Sequence, residues 1–314
     1  MSERPAAHAE SWRVVVCTTS GEGGAYAFLD EFLRSLGHRI VGVVTTPGPR
    51  ARRSEDFQSV VAAAGPGVDV FVSTHPARWA AMLAPLRPDL IISAAFPLRI
   101  PDDVIALPRL GAINGHDSLL PTYRGPNPQG WVFRNGDAET GYTIHRLTHE
   151  FDAGPVLAQV RVPVTEADDF GSLFARLAPL LPGVFAAAFA RVARGDPGEP
   201  QDDTLASAAP FFEDAWQRID WARPARTIHD QVRSLIGLPG QPAGAVGTLA
   251  GRRFRILKTR LVGCAGGKPF GPPPGAVLHE DDREMLVQCG DGPLCVVEWE
   301  SEAARTKEAA RRQD

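Results

Sequence analysis

The chain has 314 residues, 44% apolar and 22% charged, enough material for a sizeable core and for two domains of ordinary size. A net charge of −4 gives no general reason to expect binding to nucleic acid or to a membrane surface. Cys17, Cys264, Cys289 and Cys295 lack CxxC spacing, which argues against a zinc site or disulfide framework and for reduced thiols in a cytoplasmic protein.

Residues 1–11 are polar and read as a disordered tail, neither signal peptide nor anchor. No later stretch approaches the roughly 18 consecutive apolar residues that a span requires. Residues 13–19 (RVVVCTT) have the β-branched character of a buried parallel strand. They run into Ser20-Gly21-Glu22-Gly23-Gly24 and then a helical pattern over 25–36 that Gly37 stops. Residues 40–45 (IVGVVT) are the next strand, so β–loop–α–β opens a doubly wound α/β domain. The glycine-rich turn has two readings. Its amides at a helix start can hold an anion, which would make Ser20 and Gly21 substrate contacts; or it is a tight turn that needs small residues. It lacks the GxGxxG pattern of dinucleotide sites.

Arg50, Arg52 and Arg53 cluster in a turn-rich loop that reads as solvated surface. A strand over 68–72, a helix over 76–86 and a buried strand over 89–94 lead to Phe96, Leu98 and Ile100, an apolar loop suited to a pocket wall. Next comes INGHDSLLPTYRGPNP, residues 113–128, then a helix with Trp131 and Phe133. Strands are expected over 141–147 and 156–164, with the loop Glu150-Phe151-Asp152-Ala153-Gly154-Pro155 between them. Residues 170–194 form a long apolar helix pattern interrupted at Pro179 and Pro182.

Asn114 and His116, two apart at the mouth of a strand, point the same way because side chains alternate across a strand. An amide that donates to a carbonyl oxygen, an imidazole that moves protons near neutral pH and an Asp that orients it make an acyl-transfer site without a nucleophilic Ser or Cys. Direct attack by an amine on a bound acyl group is the chemistry they fit. His145 and His149 are four apart, but a strand running into a loop does not put them on one helical face, so no metal site is expected. Residues 12–195 read as the catalytic domain and 196–210 (GDPGEPQDDTLASAAP lies over 195–210) as a linker. A short helix over 224–235 and short strands over 211–300 indicate a small OB-like β-barrel domain. Residues 301–314 are a charged tail.

The N-x-H-x-S-L-L-P motif at Asn114, His116 and Ser118 to Pro121, followed by the Asp152 loop, resembles the 10-formyltetrahydrofolate-dependent formyltransferases. A second match, Arg218-Ile219-Asp220-Trp221 through Val232-Arg233, resembles the start of the C-terminal domain of the methionyl-tRNA branch. The resemblance implies that Asn114 donates to the formyl oxygen, that His116 is the general acid/base, and that Asp152 holds His116. It implies a folate pocket made by Phe96, Leu98, Ile100, Ser118, Leu119, Leu120, Pro121 and Phe151, with Tyr123 and Arg124 toward the substrate. The co-substrate is 10-formyltetrahydrofolate and no metal is needed.

Departures from the initiator-tRNA pattern bear on the acceptor: Asp117 replaces a proline, and Glu298-Trp299-Glu300 stands where that pattern has Gly-Lys-Lys. Residues 210–300 carry eleven Lys/Arg and eleven Asp/Glu, a poor platform for phosphate backbones. A small-molecule primary amine is therefore the expected acceptor: an amino acid or siderophore precursor, an amino sugar or a carrier-bound aminoacyl group. Initiator tRNA is the alternative, and hydrolysis of the donor or plain folate binding are minor ones.

Overall fold

The computed structural model describes residues 11–21, 24–47, 56–237, 243–262 and 271–301. Glu22, Gly23, Arg50, Arg52, Arg53, Cys264 and the expected tails over 1–10 and 302–314 lie outside the described residues. The chain divides into two compact units, one of residues 1–124, 142–160 and 180–206, the other of 125–141, 161–179 and 207–314.

The first unit is built on a seven-stranded sheet of order β3-β2-β1-β4-β5-β6-β7. These strands are β1 (Arg13–Cys17), β2 (Arg39–Thr45), β3 (Asp69–Val72), β4 (Leu90–Ala94), β5 (Ala112–His116), β6 (Glu139–Arg146) and β7 (Val156–Pro163). The first five pair in parallel, and β6 runs antiparallel to β5. All five residues of β4 and the last four of β1 are buried, as parallel strands covered on both faces require. Helix α1 (Ala25–Ser35) follows the glycine turn. The sequence pattern missed α2 (Asp56–Ala63) and α4 (Asp102–Ile105), while the expected helix over 76–86 is a short α3 (Trp79–Leu83) between two 3-10 turns.

The apolar run after β7 breaks where its prolines predict. Helix α6 (Phe170–Leu177) ends in a 3-10 turn containing Pro179, and α7 (Leu181–Ala193) restarts with Pro182 in its first turn. Asp169 and Ser172 cap α6 reciprocally. By length and composition alone Phe170–Ala193 is a candidate membrane span, although arginines and prolines interrupt its apolar run. Its Leu173, Leu177, Phe185, Phe189 and Val192 are instead buried in the protein, where Phe185 and Phe189 pack on Phe28 and Phe32 of α1.

In the second unit the short strands are β8 (Ala245–Leu249), β9 (Arg252–Leu261), β10 (Val277–Glu280), β11 (Met285–Gln288) and β12 (Pro293–Ser301). In keeping with the small strand-rich domain that the sequence led one to expect, they form an antiparallel sheet of order β10-β11-β12-β9-β8. Helix α5 (Pro128–Asn135) and helix α8 (Ala225–Arg233) also belong to this unit, and Trp216, Trp221, Ile228, Phe254, Ile256 and Val287 are part of its core.

Candidate active site

Asn114 and His116 sit at the carboxyl end of β5, the end at which open α/β sheets hold ligands. The parallel register with β4 sets Asn114 beside Ser93; the antiparallel register with β6 sets it opposite His145, and His116 opposite Thr143. Asn114 is half-buried, whereas His116, His145 and Asp152 are buried. Asn114 Nδ2 lies 3.1 Å from His145 Nε2 and donates to Asp152 Oδ1 at 3.4 Å. The other carboxylate oxygen, Oδ2, is 3.6 Å from His116 Nδ1. The three residues joined by the motif and the distant Asp loop thus meet in space.

The partners of each imidazole define its protonated nitrogen. The Tyr123 carbonyl can only accept, so His116 Nε2 donates to it at 2.8 Å and leaves Nδ1 facing Asp152. Tyr123 adopts the left-handed region (φ 62°), as does Asp152 (φ 53°), a conformation in which non-glycine residues cluster at functional sites. Burial raises the pKa of the neighbouring Asp117 carboxyl, while the charge of His116 pulls it the other way. Cys17, on β1 with β4 between it and β5, is buried, and burial pushes its thiol up to about 12, so it offers no thiolate nucleophile near neutral pH.

The Asp152 loop is clamped from two sides. A Cβ on Gly154 would lie 1.8 Å from the Arg146 carbonyl oxygen. From the other side Gln201 donates both amide hydrogens, to the carbonyls of Asp152 and Gly154, each at 2.7 Å. Arg124 in turn donates to Gln201 Oε1 at 3.0 and 2.8 Å and to Asp203 at 2.8 Å. Substituting Gly154→Ala is expected to displace the loop and to lower stability by about 1–3 kcal/mol, as overpacking does; urea denaturation against the wild type measures it.

The remaining expected site residues divide. Leu119 and Pro121 are half-buried, but Ser118 and Leu120 are buried. The Ser118 hydroxyl donates to the Thr122 carbonyl at 2.7 Å, and Thr143 and Gln159 brace the same turn. Phe96 packs against Trp79 with ring centroids 5.5 Å apart, Leu98 joins the same apolar cluster and Ile100 is buried in it. Phe151, beside Asp152, is 60% exposed. The Ser20 hydroxyl accepts from the Ala25 amide at 3.3 Å, and a Cβ on Gly21 would meet the Ser59 backbone at 2.1 Å, so both have a local structural task. The Arg124 guanidinium is engaged by Gln201 and Asp203. His145 and Gln201 escaped the sequence reading: their places follow from strand register and from a segment that read as linker. The half-buried amide of Asn114, the buried imidazole of His116 and the exposed Phe151 ring offer a hydrogen-bond donor, a titratable group and an apolar face, chemistry that suits a flat heterocycle carrying a formyl group.

Comparison with known proteins identifies the family. Residues 13–188 match the model of the formyl transferase family, and residues 213–311 that of its C-terminal domain. Methionyl-tRNA formyltransferase of Pseudomonas fluorescens (strain SBW25) is 36% identical over 282 residues, covering 87% of this chain and 86% of that protein. The Pelobacter propionicus enzyme of the same name is 35% identical over 83% of this chain and 81% of its own. Among solved structures, HypX from Aquifex aeolicus in complex with tetrahydrofolic acid superposes with a TM-score of 0.65 at 21% identity. The match covers 93% of this chain but 45% of HypX, so the chain spans under half the length of that protein. The sugar 3N-formyl transferase WlaRD gives a TM-score of 0.61 at 14% identity over 93% of this chain and 98% of its own. These two likenesses carry the fold alone. The chain belongs to the formyl transferase family. It is a formyl-transferring enzyme that takes its formyl group from 10-formyltetrahydrofolate.

Proposed function

We propose that this enzyme formylates the amino group of methionyl-tRNA in the cytoplasm. The observation that carries the reading is collinear similarity to methionyl-tRNA formyltransferases across both domains, over 87% of this chain and 86% of the relative. Phe96, Leu98, Leu119, Pro121 and Phe151 would hold the folate, which supplies an electrophilic formyl carbon. Asn114 donates through Nδ2 to the oxygen on which negative charge grows as the amine attacks. His116, through Nδ1, takes the proton that the amine loses and returns it to the departing nitrogen. Asp152 holds His116 through Oδ2, 3.6 Å from Nδ1. One C–N bond forms, one breaks and one proton moves between the two nitrogens.

A cleft of about 550 Å³ in the second unit supports an anionic partner. The Arg134 guanidinium lies 4.0 Å from the Trp216 ring centroid, 4.5 Å from that of Trp131 and 5.4 Å from that of Phe212. The rings cover its faces and leave its in-plane donors, which make no hydrogen bond or ion pair among the described residues. Arg218 and Arg223 line the same cleft, together with Glu213 and Asp220. Burial lowers the Arg134 pKa and the Arg223 charge adds to it, while Glu213 pulls the other way. Substituting Arg134→Gln with Arg223→Gln is expected to raise the KM for methionyl-tRNA while sparing kcat, and to flatten the dependence of KM on salt. Steady-state kinetics at two ionic strengths measure both.

A small primary amine is the second reading, favoured by the balance of eleven basic and eleven acidic residues over 210–300. The deciding experiment follows tetrahydrofolate release with methionyl-tRNA and, in parallel, with amino acids and amino sugar nucleotides. Turnover with the charged tRNA supports the proposal. Turnover with a small amine and none with the tRNA overturns it in favour of the second reading.

A further inference from the structure

A carboxamide presents a donor at one end and an acceptor at the other, so a catalytic asparagine works only if its neighbours fix which end faces forward. Asn114 has two such neighbours. Asp152 Oδ1, at 3.4 Å from Nδ2, is the longer contact, and its carboxylate also serves His116. His145 Nε2 is nearer, at 3.1 Å. The ring of His145 is itself held: Nδ1 lies 2.9 Å from the Arg146 carbonyl oxygen, which can only accept. The proton therefore sits on Nδ1, and in that tautomer Nε2 offers its lone pair to Asn114. His145 Nε2 is 3.5 Å from Asp152 Oδ1, and the ring stands edge-on to His116 with centroids 6.4 Å apart. The residue is 1% exposed, so solvent does not compete for that lone pair. A chain of bonds results, from the Arg146 carbonyl through His145 to Asn114, fixed to the sheet by the antiparallel register of β5 and β6.

We infer that His145 is a positioning residue: with Asp152 Oδ1, 3.5 Å from its Nε2, it shares one Nδ2 hydrogen of Asn114 and thereby aims the other at the formyl oxygen. Asn114 keeps its donor end forward even while Asp152 responds to proton transfer at His116. The inference rests on the catalytic role of Asn114 proposed above and extends the site by a fourth side chain.

The test compares His145→Leu, which fills the volume without an acceptor, with His145→Gln, whose amide oxygen can occupy the place of Nε2. Turnover is followed with 10-formyltetrahydrofolate and methionyl-tRNA, or with the small amine that the acceptor panel identifies. The Leu variant is expected to lose roughly 10–100-fold in kcat, the usual cost of removing a partner that orients an active-site ligand, with both KM values near wild type. The Gln variant should recover most of that loss. In an Asn114→Ala background the Leu change should have no further effect, because its action runs through the amide. Unchanged kcat in the Leu variant overturns the inference, as does equal impairment of the Leu and Gln variants with losses that add to that of Asn114→Ala. If Asn114→Ala itself leaves kcat intact, the catalytic reading of Asn114 fails first and the role of His145 falls with it. Circular dichroism melts of each variant separate these outcomes from unfolding.

Discussion

Asn114→Ala is expected to lower kcat by about 10²–10³-fold, the range for removing one preorganised donor from a developing oxyanion. The donor is worth this much because its site is mostly shielded: His116, His145 and Asp152 are all buried around it, and such dipoles act more strongly away from water. The KM for the folate should change little, since the side chains proposed to hold it are chiefly apolar. Asn114→Asp tests the same point with nearly unchanged volume. It replaces the donor by an acceptor beside Asp152 and is expected to be at least as impaired as the alanine variant. Single-turnover formyl transfer at saturating substrate reads the effect directly, and near-wild-type rates in both variants would remove Asn114 from the chemistry.

The second large effect is expected at His116, where alanine should lower kcat by about 10²–10⁴-fold, the contribution of a positioned general acid/base. Asp152→Ala should fall in the same range or somewhat below it. The carboxylate contacts both His116, at 3.6 Å, and Asn114, at 3.4 Å, so its removal loosens two functions together. The double variant His116→Ala/Asp152→Ala is expected to be little worse than the poorer single variant, because residues that act as one unit give strongly non-additive losses. Losses that multiply would mean that Asp152 works independently of His116. The measurement is kcat for all four proteins under one set of conditions, with denaturation midpoints to exclude unfolding.

These predictions rest on residues of unequal legibility. Asn114 and His116 declare themselves through a spacing of two, and that spacing keeps its meaning in β5 because alternation is a property of any strand. The β-branched runs that became β1, β2 and β4 were equally plain, since a strand buried on both faces needs no partner to look apolar. The proline break between α6 and α7 could be read locally as well. The charge balance over residues 210–300 was read as disfavouring tRNA, yet it leaves out Arg134, which lines one cleft with Arg218 and Arg223 beside Glu213 and Asp220.

Composition and local periodicity were thus sufficient for the α/β class and the existence of a second, strand-rich region, and a spacing of two was enough to single out Asn114 and His116. They could not assign His145, which sat in the sequence as a weak metal candidate and in the fold faces Asn114 across the β5–β6 pair. Nor could they assign Gln201, which lay in a stretch with the composition of a linker and holds the Asp152 loop through two carbonyls. The reason is geometric. A one-residue change of register would turn His145 to the opposite face of the sheet. Register is set by pairings between distant segments, here 31 residues apart for Asn114 and His145 and 49 for Asp152 and Gln201. Such contacts leave no periodic trace in a single chain. They come into being only when the packed sheet closes the loops between them.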